Sequence, residues 1–260
     1  MSENVIFCFS GTGNCLDLAK NIGRYLGDTD IIMMRSAPIR TDVREAKRVG
    51  FVFPCYGGGA PSDVLDYART LQLAPEAYTF AVSSSASYPG TGLHELNKII
   101  PLRYWRTVTH HCSCIWLFPH QLMVPPLSVE KAQARSERLA QLIGAEVKSG
   151  AVTGKKPPFN PLNAGENKAW GFIAAKKAAG FAVSSACIGC GQCVRLCPRG
   201  NIRLENKRAV IGTNCVQCLG CLQFCPTSAI SLGSITDKRE HYHNPKVKAT
   251  DLMEPLLHID

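Results

Sequence analysis

The sequence predicts an α/β protein: a doubly wound parallel five-stranded sheet followed by a small α+β unit that needs a staple. Three observations lead there. Short apolar runs alternate with helical patterns over the first 150 residues, eight of the 13 cysteines fall between Cys187 and Cys225, and a Gly/Pro-rich stretch at 150–165 separates the two regions. With 260 residues, 45% of them hydrophobic, the chain suits one large or two ordinary globular domains and excludes the disordered and collagen-like classes.

In chain order, the apolar runs at 5–9, 31–33, 49–53 and 78–82 read as strands buried on both faces, as parallel sheets require. Between them, 14–26, 62–71 and 92–100 carry helical patterns. A fifth strand falls within 105–113, and 127–148 is a long amphipathic helix. Alternation of this kind places ligands at the carboxyl ends of the strands. Residues 150–165, with Gly150, Gly154, Pro157, Pro158, Pro161 and Gly165, read as a linker, and 169–183 as a packing helix. Beyond it lie a hairpin candidate (202–204 and 209–211) and a short strand at 229–232. The expected division is 1–150, a linker and packing helix at 151–182, a cysteine-bearing domain at 183–235, and a tail at 236–260 without a clear motif.

The region before residue 151 holds 15 basic and 13 acidic residues and the region after it 14 and 7, so the basic excess sits with the cysteines. No nucleic-acid recognition motif accompanies it, and nucleic-acid binding is not expected. The N-terminal residues lack a basic n-region and the apolar run at 5–9 is too short for a signal peptide, so a reducing cytoplasmic location is expected and disulfides are disfavoured. Residues 107–129 contain no Asp, Glu, Lys or Arg, but three histidines and three prolines there argue against a membrane span.

The strongest signal is Cys187-x2-Cys190-x2-Cys193-x3-Cys197-Pro198, repeated as Cys215-x2-Cys218-x2-Cys221-x3-Cys225-Pro226. Three cysteines two residues apart wrap three corners of a cubane, and in proteins with two such motifs the fourth ligates the other cluster. That predicts Cys187, Cys190, Cys193 and Cys225 on one cluster, with Cys215, Cys218, Cys221 and Cys197 on the other. Structural zinc sites favour paired C-x2-C knuckles with a long spacer, which this pattern is not.

Strand one runs into Ser10-Gly11-Thr12-Gly13-Asn14-Cys15 and then a helix, where backbone N–H groups and a helix N-terminus make an anion site. The third glycine of a dinucleotide fingerprint is replaced by Leu16, and no Gly-Lys-Ser/Thr follows as in a Walker loop. The hydroxyls of Ser10 and Thr12 with exposed amides suit a phosphate monoester, although an ordinary strand–helix turn reads the same way. Two further loops fall at this sheet end: Pro54-Cys55-Tyr56-Gly57-Gly58-Gly59-Ala60-Pro61 and Ser83-Ser84-Ser85-Ala86-Ser87-Tyr88-Pro89-Gly90. Tyr56 and Tyr88 could flank a flat heterocycle or simply lie on the surface.

Together the SGTGN loop, the PxYGGxxP loop and the paired CxxCxxCxxxCP motifs resemble the flavodoxin-ferredoxin fusion family over roughly residues 4–235. The resemblance implies a flavodoxin-like domain joined to a two-cluster ferredoxin-like domain. It implies FMN with its phosphate on Ser10, Gly11, Thr12, Gly13, Asn14 and Cys15 and its isoalloxazine between Pro54, Tyr56, Gly57 and Gly58 on one side and Ser85, Ser87, Tyr88 and Gly90 on the other. It also implies two [4Fe-4S] clusters. Cys15 departs from the threonine or serine usual there and removes one hydroxyl contact.

The expected function is electron transfer between FMN and the clusters, converting two-electron and one-electron steps, with redox proteins as partners. The rival is an FMN-dependent reductase of a small-molecule substrate, with Tyr88, Cys55 and the histidines of 110–120 as acid–base candidates. The cluster of His110, His111, Cys112 and Cys114 reads as ordinary strand residues, and Cys8 as a small core residue.

Overall fold

The structure, a computed structural model, describes residues 2–85, 88–109, 128–233, 236 and 241–260. Strand β1 (Asn4–Cys8) pairs in parallel with β2 (Thr29–Met33) on one side and β3 (Arg48–Pro54) on the other, and β4 (Tyr78–Ser85) and β5 (Tyr104–Thr109) extend the parallel order. The order 2-1-3-4-5 is the flavodoxin-like one, whose ligand crevice lies at the β1/β3 switch point. The side-chain period of two divides the core. Ile6, Cys8, Val52, Phe80 and Val82 face α1 (Asn14–Leu26) and α4 (Val129–Lys148). Val5, Phe7, Phe51, Phe53 and Ala81 face α2 (Ser62–Arg69) and α3 (Gly92–Ile99). Residues 110–127 lie outside the described set, and with them the histidine-cysteine cluster and most of the uncharged stretch. Among the described residues no helix is long and apolar enough to cross a membrane.

The last five residues of the expected linker, 161–165, are ordered as helix. Asn160 accepts from the backbone N–H groups of Leu162 and Asn163, Pro161 takes the first helical position, and α5 (Pro161–Ala178) follows. An N-cap Asn followed by Pro at N1 is a helix start, so Pro161 and Gly165 do not act as breakers there. The packing helix thus begins eight residues earlier than expected, and the end of the expected helix is instead β6 (Phe181–Val183).

The cysteine-bearing unit contains α6 (Gln192–Leu196), a hairpin of β7 (Ile202–Glu205) and β8 (Arg208–Ile211), the single turn α7 (Gly220–Gln223), and β9 (Ile230–Leu232), antiparallel to β6. Asn206 and Lys207, both left-handed, make the hairpin turn. The unit's own apolar core is small: Leu219, Leu222, Ile230 and Leu232, with Cys193, Cys221 and Cys225 packed on it. Much of its anchorage comes from the sheet unit, since Val216 is buried in the α2/α3 core and Leu196 and Phe224 in the α1/α4 core.

The tail departs most from expectation. After α8 (Ala249–Met253), β10 (Leu256–Ile259) returns to the sheet and pairs antiparallel with β2, Leu256 opposite Ile32 and Ile259 opposite Thr29. The sheet therefore has six strands, five parallel and one antiparallel, rather than five. The added strand covers an edge that parallel β2 would otherwise leave open. It is fastened by His258 Nδ1 at 3.1 Å from Asp30 Oδ1, while Arg40 donates to the other oxygen of Asp30 at 2.6 Å.

Candidate functional site

The fold groups the eight motif cysteines into two cavities, each mixing both repeats. Cys187, Cys190 and Cys193 of the first motif line one with Cys225 of the second. Cys215, Cys218 and Cys221 line the other with Cys197. The x2 spacings put the first three on a loop and the short helix after it, and the residue before each proline swings across to its neighbour. Backbone N–H groups point at sulfur: Asn201 N–H to Cys197 Sγ, Gln217 N–H to Cys215 Sγ and Ala229 N–H to Cys225 Sγ, each 3.3 Å. Among the described residues no three His, Cys, Asp or Glu side chains converge on a single-ion position.

The cavities differ in depth. Cys190 is exposed and Cys187 lies close to solvent, where N–H donation from Ala209 and Gly189 lowers its thiol pKa. Burial pushes the Cys218 thiol up to about 12 and Cys221 well above its ordinary value. Burial disfavours the thiolate at these positions, and bound iron would supply the positive partner that a buried thiolate lacks. The eight sulfurs thus fit iron–sulfur clusters in number and donor type.

The deeper cavity abuts the glycine-rich loop. A Cβ added to Gly11 would stand 2.0 Å from the Cys218 carbonyl oxygen, so only glycine permits that approach. Within the loop, Gly13 N–H donates to Ser10 Oγ at 3.1 Å and Gly13, left-handed, caps α1. Cys15 is buried in the first turn of α1. The tail closes over the outside: Asn244 N–H donates to the Thr12 carbonyl at 2.8 Å, and Tyr242 Oη to Asn14 Oδ1 at 2.9 Å.

The other two predicted loops meet at the same sheet end. Pro54 closes β3, Cys55 N–H donates to the Ser84 carbonyl, and Tyr56 and Gly59 exchange backbone hydrogen bonds around left-handed Gly57 and Gly58. Gly90 packs on the Gly58 carbonyl and Cys55 Sγ. Ser87 lies outside the described residues.

Sequence reasoning missed α5 as a wall of this site. Asn163, Glu166, Asn167 and Trp170, spaced i, i+3, i+4, i+7 on one helical face, all meet the glycine loop. Trp170 packs on Gly57, Asn167 Nδ2 donates to the Tyr56 carbonyl at 2.8 Å, and Tyr88 Oη donates to the Glu166 carboxylate at 2.6 and 2.7 Å. Burial and the nearby Glu166 carboxylate push Cys55 up to about 12 and raise Tyr88 too. Their spacing, two Asn, a Glu and a Trp on one stripe of a helix with little apolar contrast, is the signal that could have exposed the wall.

Whether these residues suit FMN can be tested on their polar atoms. Among the described residues, Ser83 Oγ, Ser85 Oγ, Thr91 Oγ1 and Trp170 Nε1 are buried without a hydrogen-bond partner, all on β4, on the residue capping α3, or on the α5 wall. Buried polar groups are ordinarily satisfied. Four orphaned donors and acceptors at the sheet end fit a flat heterocycle with polar edges, so the residues fit the group in kind.

Residues 186–230 match the family described as a 4Fe-4S dicluster domain. Among solved structures, the chain is similar to a Bacteroides eggerthii protein assigned as a flavoprotein (15% identity, TM-score 0.34, 42% of this chain and 87% of that one). It is also similar to the flavodiiron protein of Giardia intestinalis (16%, TM-score 0.33, 57% and 37%). A third is a flavoprotein of Lactobacillus acidophilus in complex with FMN (10%, TM-score 0.31, 42% and 93%). No curated protein matches the chain. The chain joins a sheet of flavodoxin-like order to a 4Fe-4S dicluster domain, which supports a redox role.

Proposed function

We propose that this fusion of a flavodoxin-like sheet and a 4Fe-4S dicluster domain is an intramolecular electron carrier that holds one FMN and two [4Fe-4S] clusters. The observation that carries the proposal is the direct contact between the deeper four-cysteine cavity, at Cys218, and the glycine loop, at Gly11. The shared wall sets the inner cavity against the sheet end where the loops at 54–61 and 83–90 also meet, which supports electron exchange between groups bound on either side.

When bound, FMN supplies two-electron chemistry and the clusters one-electron chemistry. The chain's residues do the rest. Cys187, Cys190, Cys193 and Cys225 hold the outer cluster, and Cys215, Cys218, Cys221 and Cys197 the inner one. N–H groups donated to sulfur stabilise thiolate charge and so help set potential. The amides of residues 11–15 with the hydroxyls of Ser10 and Thr12 bind phosphate at the start of α1, where the helix dipole favours an anion. Tyr56, Tyr88 and Trp170 flank the ring, and Ser85 offers it a hydroxyl. Residues 1–150 form the flavin unit and 183–235 the cluster unit. Residues 151–182 wall the flavin site and 236–260 strap the two units together.

One observation favours a second role as an FMN-dependent reductase of a small molecule. The Tyr88 hydroxyl on the Glu166 carboxylate, with Cys55 nearby, is a proton-bearing group held at the sheet end. In either role the exposed, oxygen-sensitive type of cluster suits a reducing cytoplasm and one-electron redox proteins as partners.

Anaerobic purification followed by metal, sulfide and flavin assays and a spectroelectrochemical titration tests the carrier. It should return about eight iron, about eight inorganic sulfide and about one FMN per chain. Zinc without labile sulfide, or a chain that takes up no flavin, overturns it.

A further inference from the structure

We infer that the β7–β8 hairpin and the loop around Ile188 form the docking face for an acidic one-electron carrier protein, which exchanges electrons through the outer four-cysteine cavity. The inference rests on the electron-carrier reading above and adds its partner.

The two cavities are not equivalent. The inner one has the buried Val216 and Leu219 in its wall and lies against the sheet unit at Cys218, and none of its four cysteines is exposed. The outer one opens at Cys190, which is exposed, and Leu204 of β7 and Ala209 of β8 line its wall. Around that opening two apolar side chains stand in solvent, Ile188 at 66% and Leu204 at 42% exposure. Apolar side chains at the centre of a polar rim are the ordinary anatomy of a protein interface.

The rim is basic. Between residues 181 and 233 the chain has five basic residues and one acidic one. Arg199 is spent on Asp63 of the sheet unit. Of those that remain, Arg203, Lys207 and Arg208 are exposed on the hairpin; Arg203 pairs with Glu205 at 2.6 Å, so Lys207 and Arg208 carry the net positive charge there. The hairpin is locked to the cysteine loop, because the Lys207 carbonyl lies against Gly189, where an added Cβ would stand 2.4 Å away. The positive charges are therefore held beside the opening. A partner carrying carboxylates on its own approach face is steered to it and held in register.

The electron count is simple: one electron passes from the reduced carrier to the oxidised outer cluster, or the reverse, with no bond made or broken. The charge-reversed variant Arg203→Glu/Lys207→Glu changes the rim without touching a cysteine, and Lys131→Glu on α4 serves as a distant control of the same sign. Full-length, cluster-loaded proteins are mixed with a purified acidic two-cluster ferredoxin. Association of both oxidised proteins is measured by calorimetry, and reduction by the pre-reduced ferredoxin by stopped flow, each across a salt series.

The wild type and Lys131→Glu should bind and react with the same steep loss on adding salt. The double variant should lose about tenfold in association at low salt and show a flatter salt slope. Cluster content and reduction by dithionite should be unchanged in all three. Equal loss in the control and the double variant, or no loss in either, overturns the docking face. Binding of the wild type to phosphatidylglycerol vesicles with indifference to the ferredoxin overturns it in favour of an anionic membrane surface. Absence of any dithionite-reducible cluster is a different failure, that of the electron-carrier reading itself.

Discussion

Replacing Arg199 by alanine should cost about 3 kcal/mol of stability. Its guanidinium grips Asp63 as a fork, Nε to Oδ1 at 2.9 Å and Nη2 to Oδ2 at 2.8 Å, and also reaches Ser62 Oγ at 2.7 Å and Asn214 Oδ1 at 3.2 Å. The Asp63 side chain is 4% exposed and that of Arg199 20%. Removing one partner of a buried pair typically costs about 3–5 kcal/mol because a charge is left uncompensated. The low end applies here, since Asp63 sits in the first turn of α2, where the helix dipole offsets roughly 0.5 kcal/mol. Asp63→Ala should cost less, about 1–2 kcal/mol, because Arg199 keeps two neutral partners and some water. The double variant should then lose clearly less than the sum, with a coupling near 2 kcal/mol as a rough value. Anaerobic urea unfolding of the cluster-loaded chain, followed by far-ultraviolet dichroism with the slopes compared, measures all three. Additive losses, or a cost for Arg199→Ala below about 0.5 kcal/mol, would refute the idea that this pair binds the cluster unit to α2.

Cys197→Ala should remove about half of the iron and spare the outer cluster's signals, whereas equal damage to both sets would leave the crossed ligation unsupported. Gly11→Ala forces a methyl against the Cys218 carbonyl and should cost about 1–3 kcal/mol while perturbing the inner cluster's spectrum alone; an unchanged melting temperature and spectrum would show that the contact is not held in solution. Thr12→Asp sets a negative charge against the phosphate position, and equilibrium dialysis should find FMN binding abolished; undiminished uptake would move the phosphate elsewhere. The β10 clasp should be tightest between roughly pH 4 and 6.5. Burial alone would raise Asp30, but hydrogen bonds from Arg40, His258 and Ser2 hold it below the ordinary range, so its contribution is lost as pH falls. The hydrogen bond to Asp30 raises His258, so its contribution is complete in acid and lost as pH rises through the raised value. Hydrogen exchange at β10, corrected for intrinsic rate, should follow that window, and protection that is flat from pH 4 to 9 would discard it.

Helix α1 was readable to the residue, Asn14–Leu26, because a glycine-rich turn precedes it and Gly27 follows. Within each repeat the x2 spacing let the first three cysteines be read as one set, and the cavities line each such set with the fourth cysteine of the other repeat. What could not be read depends on contacts between distant segments. Strand β2 starts two residues before the apolar run at 31–33, since buried Asp30 breaks the pattern and is neutralised by Arg40 and His258. Strand β10 is four residues long and half exposed, too short to outweigh its flanks without β2 beside it. Trp170, Glu166 and Asn167 line the site only because α5 turns back over the Gly57–Gly59 turn, a placement that no local periodicity encodes.

The return of β10 to β2 makes the cluster unit an insertion within the sheet unit, tethered at both ends, and this orders its assembly. Asp30 and His258 are neighbours across a gap of 228 residues, and both cysteine motifs lie inside that loop. During synthesis the five parallel strands can pair before the cysteines emerge, but the sixth can join only after them. Each cluster built inside the loop shortens its effective length and lowers the entropy lost when β10 docks. On the electron-carrier reading, iron delivery would thereby be coupled to sheet completion, and a chain starved of iron would be left with β2 as a bare edge, open to pairing with another copy.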